Sequence, residues 1–492
     1  MTKTSSVSGV TQTNPCDRCI AELEAQLCER DVAIAELEDQ LRQRDEVIAA
    51  LEERVRQLQE QVEGVKLAGK CQATPFARRK RVAQPKRPGR KKGQGQFSYR
   101  RKPAPEEVTE TKESPLVCCP ECGGPLTDWQ EHEQFVVDIP PVEPVITRYV
   151  THSGYCSYCR RRVRSRHPEQ ISEATGAAGV VVGPRAKALA ADMKHRLGTS
   201  YGKVRELLND AFGLWVTRSG WYQADVRLAE QARPVYQELV EVLQESAVVH
   251  ADETGWRIGT LSAWLWVFTN REVTVYTIRR SRGHGVVVDI LGREFQGILV
   301  SDCFLAYDHH ELAEWLKQKC VGHLLRTLSE IEASKTCGAV RFARQVTVLL
   351  REAIQLKAEK PDLPSEVFAE LAATLEQRLD ALIHTRRRFT DPDNARFAKR
   401  LRKHRPHLLR FLYVDGLDAT NNQAERMLRP AVITRKTTGC NRTAGGAEAH
   451  AILASVLATC HQRAVPILDF LVKLQRASGN PPPLGPPQPA PT

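Results

Sequence analysis

The stretch "VVHADETGW", residues 248–256, places two carboxylates directly after a short apolar run. The apolar run predicts a buried strand that ends at Asp252 and Glu253. An isolated acidic pair at the end of a strand usually belongs to a solvated turn, and this interpretation would suffice for the stretch taken alone. Whether the pair has a function therefore depends on the rest of the chain.

The segments that follow predict an ordered set of strands around one helix. "LSAWLWVF" and "VTVYTI" are typical of strands, "GVVVDILG" of a short helix and "GILVSD" of a fourth strand. This is the order of an RNase H-like fold, in which the first and fourth strands lie side by side and parallel. Asp252 ends the first strand and Asp302 the fourth, so a divalent metal is expected to bridge them. Glu253 should point to the other face of its strand.

A third carboxylate is expected from a helix farther along the chain. "GLDATNNQAERMLRPAV" predicts a helix that begins near Asp418, Thr420 or Asn421 and contains Glu425. A solvated helical glutamate is the alternative. The two aspartates already placed favour Glu425 as the third acid of one site.

Length and composition predict several domains without a membrane span. The chain has 492 residues, of which 41% are hydrophobic and 26% charged, and its net charge is +12. No apolar run has the length of a membrane-spanning helix, and the N-terminus lacks the apolar core of a signal peptide. We therefore expect a cytoplasmic protein.

Residues 69–114 are expected to form a basic flexible arm. Between Arg78 and Lys102 there are twelve Lys or Arg and no Asp or Glu, so the segment repels itself and has little to bury. A solvated linker or a localisation signal is the alternative to binding DNA phosphates. The predicted DNA contacts of the arm are Arg78, Arg79, Lys80, Arg81, Lys86, Arg87, Arg90, Lys91 and Lys92.

Residues 16–68 are predicted to form a coiled coil that associates chains. Fourteen positions between residues 20 and 65 follow an unbroken heptad spacing and would face a partner helix; we call them the seam. Twelve of the fourteen are aliphatic. Arg30 and Arg44 interrupt it and would fix the register. The alternative is a single amphipathic helix packed on its own chain.

Residues 115–168 are predicted to form a zinc-ribbon-like module. Two Cys-x2-Cys pairs have the spacing that one structural, tetrahedral Zn²⁺ requires, and 134–140 and 145–152 look like strands between them. Four buried free cysteines are the alternative. The expected zinc ligands are Cys119, Cys122, Cys156 and Cys159.

Residues 169–245 are predicted to be helical, with a helix-turn-helix pattern. The turn is expected at Gly213, and Thr217 or Ser219 is expected to cap the second helix, which would present Arg218 to DNA. Such helix pairs are often purely structural, so both interpretations stand. The Pro-rich tail, 476–492, is expected to be disordered.

Long motifs of the chain resemble those of the insertion sequence 66 family of transposases. They are "HADETGWRI", "LVSDCFLAYD", "QKCVGHLLR", "DPDNARFAKRL", "GLDATNNQAERMLRPAVITRKTTGCNRT" and "SVLATCHQRA". The order of coiled coil, basic arm, cysteine module and catalytic domain is similar too. The resemblance covers about residues 20–475.

The resemblance implies a catalytic domain of the DDE superfamily over residues 246–475, with a helical insertion at about 309–415. It implies that Asp252, Asp302 and Glu425 are the catalytic acids and that they hold two Mg²⁺ or Mn²⁺ ions. Cys320 and His323 match a pair found in related transposases, so a positioning role and plain helix packing both remain open. Further DNA contacts are expected from Arg426, Arg435, Lys436 and Arg442.

The sequence therefore predicts a multi-domain α+β DNA transposase with an RNase H-like core. It would be a nucleoid-associated bacterial protein that binds the inverted repeats of a mobile element. Its substrate would be double-stranded DNA, which it would cleave at the ends of the element and join to a target. A homodimer or higher assembly through the coiled coil is expected, and accessory proteins of the same element are candidate partners. An inactive DNA-binding protein and a stand-alone nuclease are the competing hypotheses.

Overall fold

A computed structural model describes residues 27, 30–31, 34–55, 101–128, 130–385, 388–477 and 481–485. The contacts divide the chain into two units, Met1–Gln72 and Ala73–Thr492. The predicted DNA contacts between Arg78 and Lys92 lie outside the described residues, as do the ends of the heptad segment and most of the Pro-rich tail.

In the first unit, residues 34–55 form a helix, α1. The heptad spacing puts the large aliphatic side chains on one stripe, and each of them is more than half exposed in the single chain. They are Ile34, Leu37, Leu41, Ile48, Leu51 and Val55. The helix is as predicted, and the coiled coil remains a prediction.

The second unit contains two sheets. Strands β1 (Ser153–Cys156) and β2 (Arg161–Arg164) form a small antiparallel hairpin. The larger sheet has five strands: β3 (Val248–Ile258), β4 (Leu261–Thr269), β5 (Thr274–Arg279), β6 (Ile298–Ser301) and β7 (Leu316–Lys319).

The five-stranded sheet has the order β5-β4-β3-β6-β7. Strand β4 is antiparallel to both β3 and β5, whereas β6 runs parallel to β3 and to β7. The helix predicted between the third and fourth strands is α5 (Gly285–Leu291). The sheet therefore places the first half of β3 beside β6, and these two strands are adjacent and parallel as predicted. The prediction that the strand ends at Asp252 and Glu253 was wrong, because β3 continues to Ile258 as one arm of the hairpin with β4.

Three helices precede the large sheet: α2 (Pro184–His195), α3 (Tyr201–Phe212) and α4 (Arg218–Gln244). The predicted turn between α3 and α4 is confirmed, because Gly213 has a φ of 62°, a conformation that favours glycine. Of the two expected caps, Thr217 is the one whose side chain accepts a hydrogen bond, from the amide of Gly220 at 3.1 Å. Helix α4 then packs on the sheet beside α5.

The helices α11 (Asn422–Thr438), α12 (Ala444–Gln462) and α13 (Ile467–Arg476) complete this half of the unit. Helix α12 lies along the edge strand β5. The hydroxyls of Ser455 and Thr459 accept hydrogen bonds from the amides of Tyr276 and Thr274, at 2.8 and 3.1 Å. These bonds satisfy donors that an edge strand otherwise leaves open.

The expected helical insertion begins later than predicted. Within the range 309–415, Leu316–Lys319 is the fifth strand of the sheet, and the helices follow it. The sequence "LKQK" gave no apolar strand signal, yet the strand is buried, and Lys319 pairs there with Asp308. The insertion comprises α6 (Val321–Ser334), α7 (Val340–Glu359), α8 (Ser365–Ile383), α9 (Pro392–His404) and α10 (Arg410–Tyr413).

The insertion has a hydrophobic core of its own. Its helices bury apolar side chains against one another, and Ile298 and Val300 of β6 join this core. The insertion is therefore anchored to the same strand that Asp302 follows.

The cysteine-containing segment contains fewer strands than predicted. Residues 134–140 and 145–152 form no strand, so this prediction was wrong. Their alternating apolar side chains are largely exposed, and an apolar run becomes a strand only where a neighbouring strand pairs with it. The first Cys-x2-Cys pair does form a tight turn, with Gly123 donating to the carbonyl of Cys119 at 2.9 Å.

Candidate active site

The parallel pairing of β3 and β6 determines where the two aspartates lie. Val248 is opposite Ile298 and His250 is opposite Val300. The same register, continued by two residues, brings Asp252 opposite Asp302, where β6 has just ended. Adjacent strands are about 4.8 Å apart, so the two carboxylates start from neighbouring backbone positions.

Local hydrogen bonds orient each of these carboxylates. Oδ1 of Asp252 accepts the amide N–H of Glu253 at 2.8 Å, and Oδ1 of Asp302 accepts that of Phe304 at 2.8 Å. The backbone of Asp302 is held as well, because its carbonyl accepts a hydrogen bond from Nζ of Lys319 at 3.0 Å. Both side chains are thus fixed before any ligand arrives.

Glu425 reaches the same end of the sheet because Asn421 fastens helix α11 to β3. Nδ2 of Asn421 donates to the carbonyl of Ala251 at 2.8 Å, and its Oδ1 lies 3.1 Å from Nδ1 of His250. The amide of Glu425 donates to the carbonyl of Asn421 at 3.1 Å, so Glu425 lies one turn further along. The strand that carries Asp252 and the helix that carries Glu425 are therefore joined within a few residues of both acids.

One imidazole lies among the three acids. Nε2 of His323 is 3.5 Å from Oε1 of Glu425. The hydrogen bond that the ring donates to the sulfur of Cys320 comes first among the influences that raise the pKa of His323 to about 8, and the charges of Glu425 and Asp302 act in the same direction. The charge of His323 in turn lowers the pKa of Asp252, so this side chain interacts with all three carboxylates.

Burial and like charge make the site unfavourable for an uncompensated anion. Burial first, and then the neighbouring Glu253, raise the pKa of Asp252 to about 7. Carboxylates held together in a buried place attract a cation strongly. Their oxygens are also the ligands that Mg²⁺ and Mn²⁺ prefer.

Glu253 lies on the opposite face of β3, as expected from the alternation of a strand. It is buried, with Oε1 2.8 Å from Nη2 of Arg282 and Oε2 accepting the hydroxyl of Tyr307 at 2.7 Å. The guanidinium of Arg282 is in turn packed between the rings of Trp264 and Phe304, at 4.2 and 3.9 Å from their centroids. Glu253 therefore links β3 to the segments that carry Arg282 and Tyr307, beneath the site.

Comparison with protein families identifies the kind of protein to which this site belongs. The model of the Transposase IS66 family matches residues 179–449, more than half of the chain. The chain belongs to the Transposase IS66 family. The resemblance seen in the motifs is thereby confirmed, and the matched segment contains Asp252, Asp302, Glu425, Cys320 and His323.

A relative among the curated proteins is uncharacterized. It is the protein y4qI of Sinorhizobium fredii (strain NBRC 101917 / NGR234), 26% identical over 293 residues, which cover 53% of each chain. This chain thus spans about half the length of the relative that it matches. Among the described residues, no helix has the length and apolar character needed to cross a membrane.

Within the IS66 family segment, the cations predicted to contact DNA have different surroundings. Arg426, Lys436 and Arg442 are exposed, and so is Arg218 at the beginning of α4. Arg435 instead donates to Oγ1 of Thr254 and to the carbonyl of Gly255, at 2.8 and 2.6 Å. Its guanidinium holds α11 against β3, so it supports the site from within the fold.

The four predicted zinc ligands lie before the segment that matches the family model. The structure pairs Cys119 with Cys122 and Cys156 with Cys159. The pKa of the first cysteine in each pair is lowered, mainly by a hydrogen bond from the backbone N–H of the second cysteine. Among the described residues, the groups of three or more ligands within 4.8 Å of one another do not include these thiols. The two pairs are thus formed but are not joined into one cluster.

Sequence reasoning missed several residues that organise the site. Asn421 was one of three residues at which the helix was expected to begin. It does take the N-cap position, yet its side chain makes no capping bond and reaches the strand instead. Lys319 and Tyr307 gave no signal, because a lysine in "LKQK" and a tyrosine in a connecting segment look like surface residues. A hint was present at Asn421, since three polar residues in "TNN" precede the apolar face of α11.

Proposed function

We propose that this chain is a DNA transposase that cuts the ends of a mobile element and joins them to target DNA. The observation that carries the proposal is the convergence of Asp252, Asp302 and Glu425 around His323, in a chain of the IS66 transposase family. We also take the five-stranded sheet and its parallel central pair to be an RNase H-like core of the DDE type.

The three acids suit divalent cations. They offer hard oxygen ligands, two of them on adjacent parallel strands, and their burial makes an added positive charge favourable. We propose that Asp252, Asp302 and Glu425 hold two Mg²⁺ or Mn²⁺ ions. When bound, the ions would stabilise the attacking and leaving oxygens of an in-line displacement at phosphorus.

The residues around the acids would keep the reacting groups in position. Asn421 and Arg435 hold α11 against β3, and Lys319 holds the backbone at Asp302. His323, with a pKa of about 8, would carry positive charge near neutral pH and offset part of the charge of the carboxylates. The site would thus position the DNA with little rearrangement.

The chemistry would consist of two displacements at phosphorus. A water oxygen would first attack the phosphodiester at the end of the element. The bond from phosphorus to the 3′ oxygen would break, and that oxygen would leave as a 3′-hydroxyl after gaining a proton. The 3′-hydroxyl would then attack a target phosphodiester, displacing a 3′ oxygen of the target and losing its own proton. No covalent link between protein and DNA is needed.

The remaining segments would bind DNA and assemble chains. We propose that the basic arm and the exposed Arg218, Arg426, Lys436 and Arg442 contact phosphates, because counterion release favours clustered cations. The two cysteine pairs would hold one structural Zn²⁺, and their lowered pKa values favour the thiolate that binds it. Helix α1 would join chains through its exposed seam, and accessory proteins of the element would complete the assembly.

The decisive test is strand transfer by the purified full chain on labelled DNA carrying the ends of the element, with Mg²⁺ or Mn²⁺. We expect joined products with the unmodified chain and with Asp289→Asn, an exposed aspartate on α5. Asp302→Asn should reduce both cutting and joining by at least about a thousandfold, because a metal ligand is lost. DNA binding should persist in both variants.

Other outcomes would favour the competing functions. Cutting without joining would indicate a nuclease. Binding without cutting, also after the accessory proteins of the element are added, would indicate a DNA-binding protein without catalytic activity. Either result would contradict the proposal.

A further inference from the structure

Three potential metal ligands converge outside the acidic site. His284 comes directly before α5, whereas His309 and Glu311 lie in the connection between β6 and β7. Their ligand atoms all lie within 4.8 Å of one another. Oε1 of Glu311 is 3.0 Å from Nε2 of His284 and 3.9 Å from Nδ1 of His309, so one carboxylate oxygen faces both rings.

The two imidazoles are stacked unusually closely. Their centroids are 3.3 Å apart and their planes differ by 5°. Two protonated rings at this distance would repel each other. The close contact therefore favours neutral rings, which are the form that binds metals.

The carboxylate of Glu311 is oriented by its neighbours. Its Oε1 faces Nε2 of His284 at 3.0 Å. Nη1 of Arg293 lies 3.1 Å from the other oxygen, Oε2, and therefore orients the group. The amide of Glu311 is 3.4 Å from Nδ1 of His309, and an ion bound by that nitrogen would replace this long contact.

Partial exposure allows an ion to enter. The side chains of His284, His309 and Glu311 are 28%, 31% and 33% exposed. Two imidazole nitrogens and one carboxylate oxygen are the donor set of an open zinc site, in which water takes the fourth position. Mg²⁺ is a poor match for such a nitrogen-rich set.

We propose that His284, His309 and Glu311 bind one divalent transition-metal ion of the zinc class. This site is separate from the three acids and does not rest on the proposed transposition chemistry. Its place in the fold gives it a structural consequence. Arg282 and Tyr307, which both hold Glu253, precede the two histidines by two residues each. A bound ion would join the two segments that hold Glu253 under the active site.

The test counts Zn²⁺ bound per full chain. The metal-free protein is dialysed against buffered Zn²⁺ in excess Mg²⁺, and the bound zinc is measured for the unmodified chain and four variants. His310 provides the matched control, because its ring lies 4.0 Å from that of His309 but it does not belong to the group of ligands. We expect His284→Gln, His309→Gln and Glu311→Gln each to bind one ion fewer per chain, and His310→Gln to bind as many as the unmodified chain.

Cysteine sites elsewhere contribute equally to all five proteins, so only the difference in count matters. Circular dichroism of each metal-free variant shows whether it is folded, and three independent variants guard against the failure of one. An equal count in all five proteins would overturn the proposal. So would a lost ion in His310→Gln, since another set of ligands would then be responsible.

Discussion

Two neighbouring carboxyls of β3 differ because they lie on opposite faces of the strand. Glu253 is paired with Arg282 and Tyr307, which fix it within the fold. Asp252 interacts with Asp302 and His323 instead, and burial raises its pKa to about 7. A side chain that is costly to ionise in the free protein is therefore well suited to take up a cation.

The raised pKa predicts how the metal-free protein responds to pH. Between about pH 4 and pH 7 the folded chain keeps a proton on Asp252 that the unfolded chain has lost. The contribution of this group to the free energy of unfolding is therefore complete below about pH 4. It is lost as the pH rises to about 7. Asp252→Asn should remove this loss and raise the free energy of unfolding by roughly 1–4 kcal/mol at about pH 8.

Urea denaturation across this pH range, without metal, measures the effect. Asp289→Asn, at an exposed position, should change stability by less than about 0.5 kcal/mol. Mg²⁺ should stabilise the unmodified chain and have a smaller effect on Asp252→Asn. An Asp252→Asn variant that is less stable than the unmodified chain at pH 8 would contradict the prediction.

A second prediction at this scale concerns Asn421. Asn421→Ala leaves the carbonyl of Ala251 and Nδ1 of His250 without this buried partner, which should cost about 1–3 kcal/mol of stability. The adjacent Asn422 is exposed, so Asn422→Ala should cost less than about 0.5 kcal/mol. Equal costs in urea denaturation would show that Asn421 does not fasten α11 to the strand.

Among the elements, β7 shows how a charged segment becomes a buried strand. Nζ of Lys319 is 2.8 Å from Oδ1 of Asp308, and it also donates to the hydroxyl of Ser301 at 3.3 Å. The lysine is fully buried, yet its charge is matched and its donors are used. Because Lys319 also bonds to the carbonyl of Asp302, strand β7 supports the carboxyl end of its neighbour β6.

Lys319 and Lys403 therefore offer a direct comparison. Both contact Asp308, but Lys319 is buried and Lys403 is half exposed, with its Nζ 3.1 Å from Oδ2. Lys319→Met should destabilise the fold by about 3–5 kcal/mol, because a buried charge loses its partner. Lys403→Met should cost at most about 1 kcal/mol. Thermal or urea unfolding measures both, and similar losses would argue against the role of burial.

For the whole molecule, we expect a helix of a second chain to cover the exposed seam of α1. Its aliphatic side chains remain accessible in the single chain, whereas the heptad would bury them between helices. Arg44 on the same seam would help to select the register.

Leu41→Asp places a charge in this seam and should convert the assembly into monomers. Ala49→Asp adds the same charge at an exposed position outside the seam and should leave the assembly intact. Sedimentation of the full chain at several concentrations measures the difference. An unmodified chain that is already monomeric, or a dimer that survives Leu41→Asp, would contradict the coiled coil.

The sequence by itself determined the first four strands of the large sheet, the helix between the third and fourth strands, the turn at Gly213 and the family, but not the fifth strand. These features depend on local periodicity, on glycine conformation and on long motifs, all of which are contiguous in the chain. The closeness of Asp252 and Asp302 followed too, because their strands were expected to be adjacent and parallel, although Asp252 lies within β3 and not at its end. Their catalytic roles and the metals remain predictions.

Only the tertiary structure decided which distant groups surround these acids. The bonds of Asn421 to β3, of Lys319 to Asp308 and of Glu253 to Tyr307 each join segments far apart in sequence. The stacking of His284 on His309 is of the same kind. The pairing of a polar side chain depends on what folding brings beside it. A lysine in "LKQK" therefore looked exposed in the sequence, although an aspartate from another segment allows it to be buried.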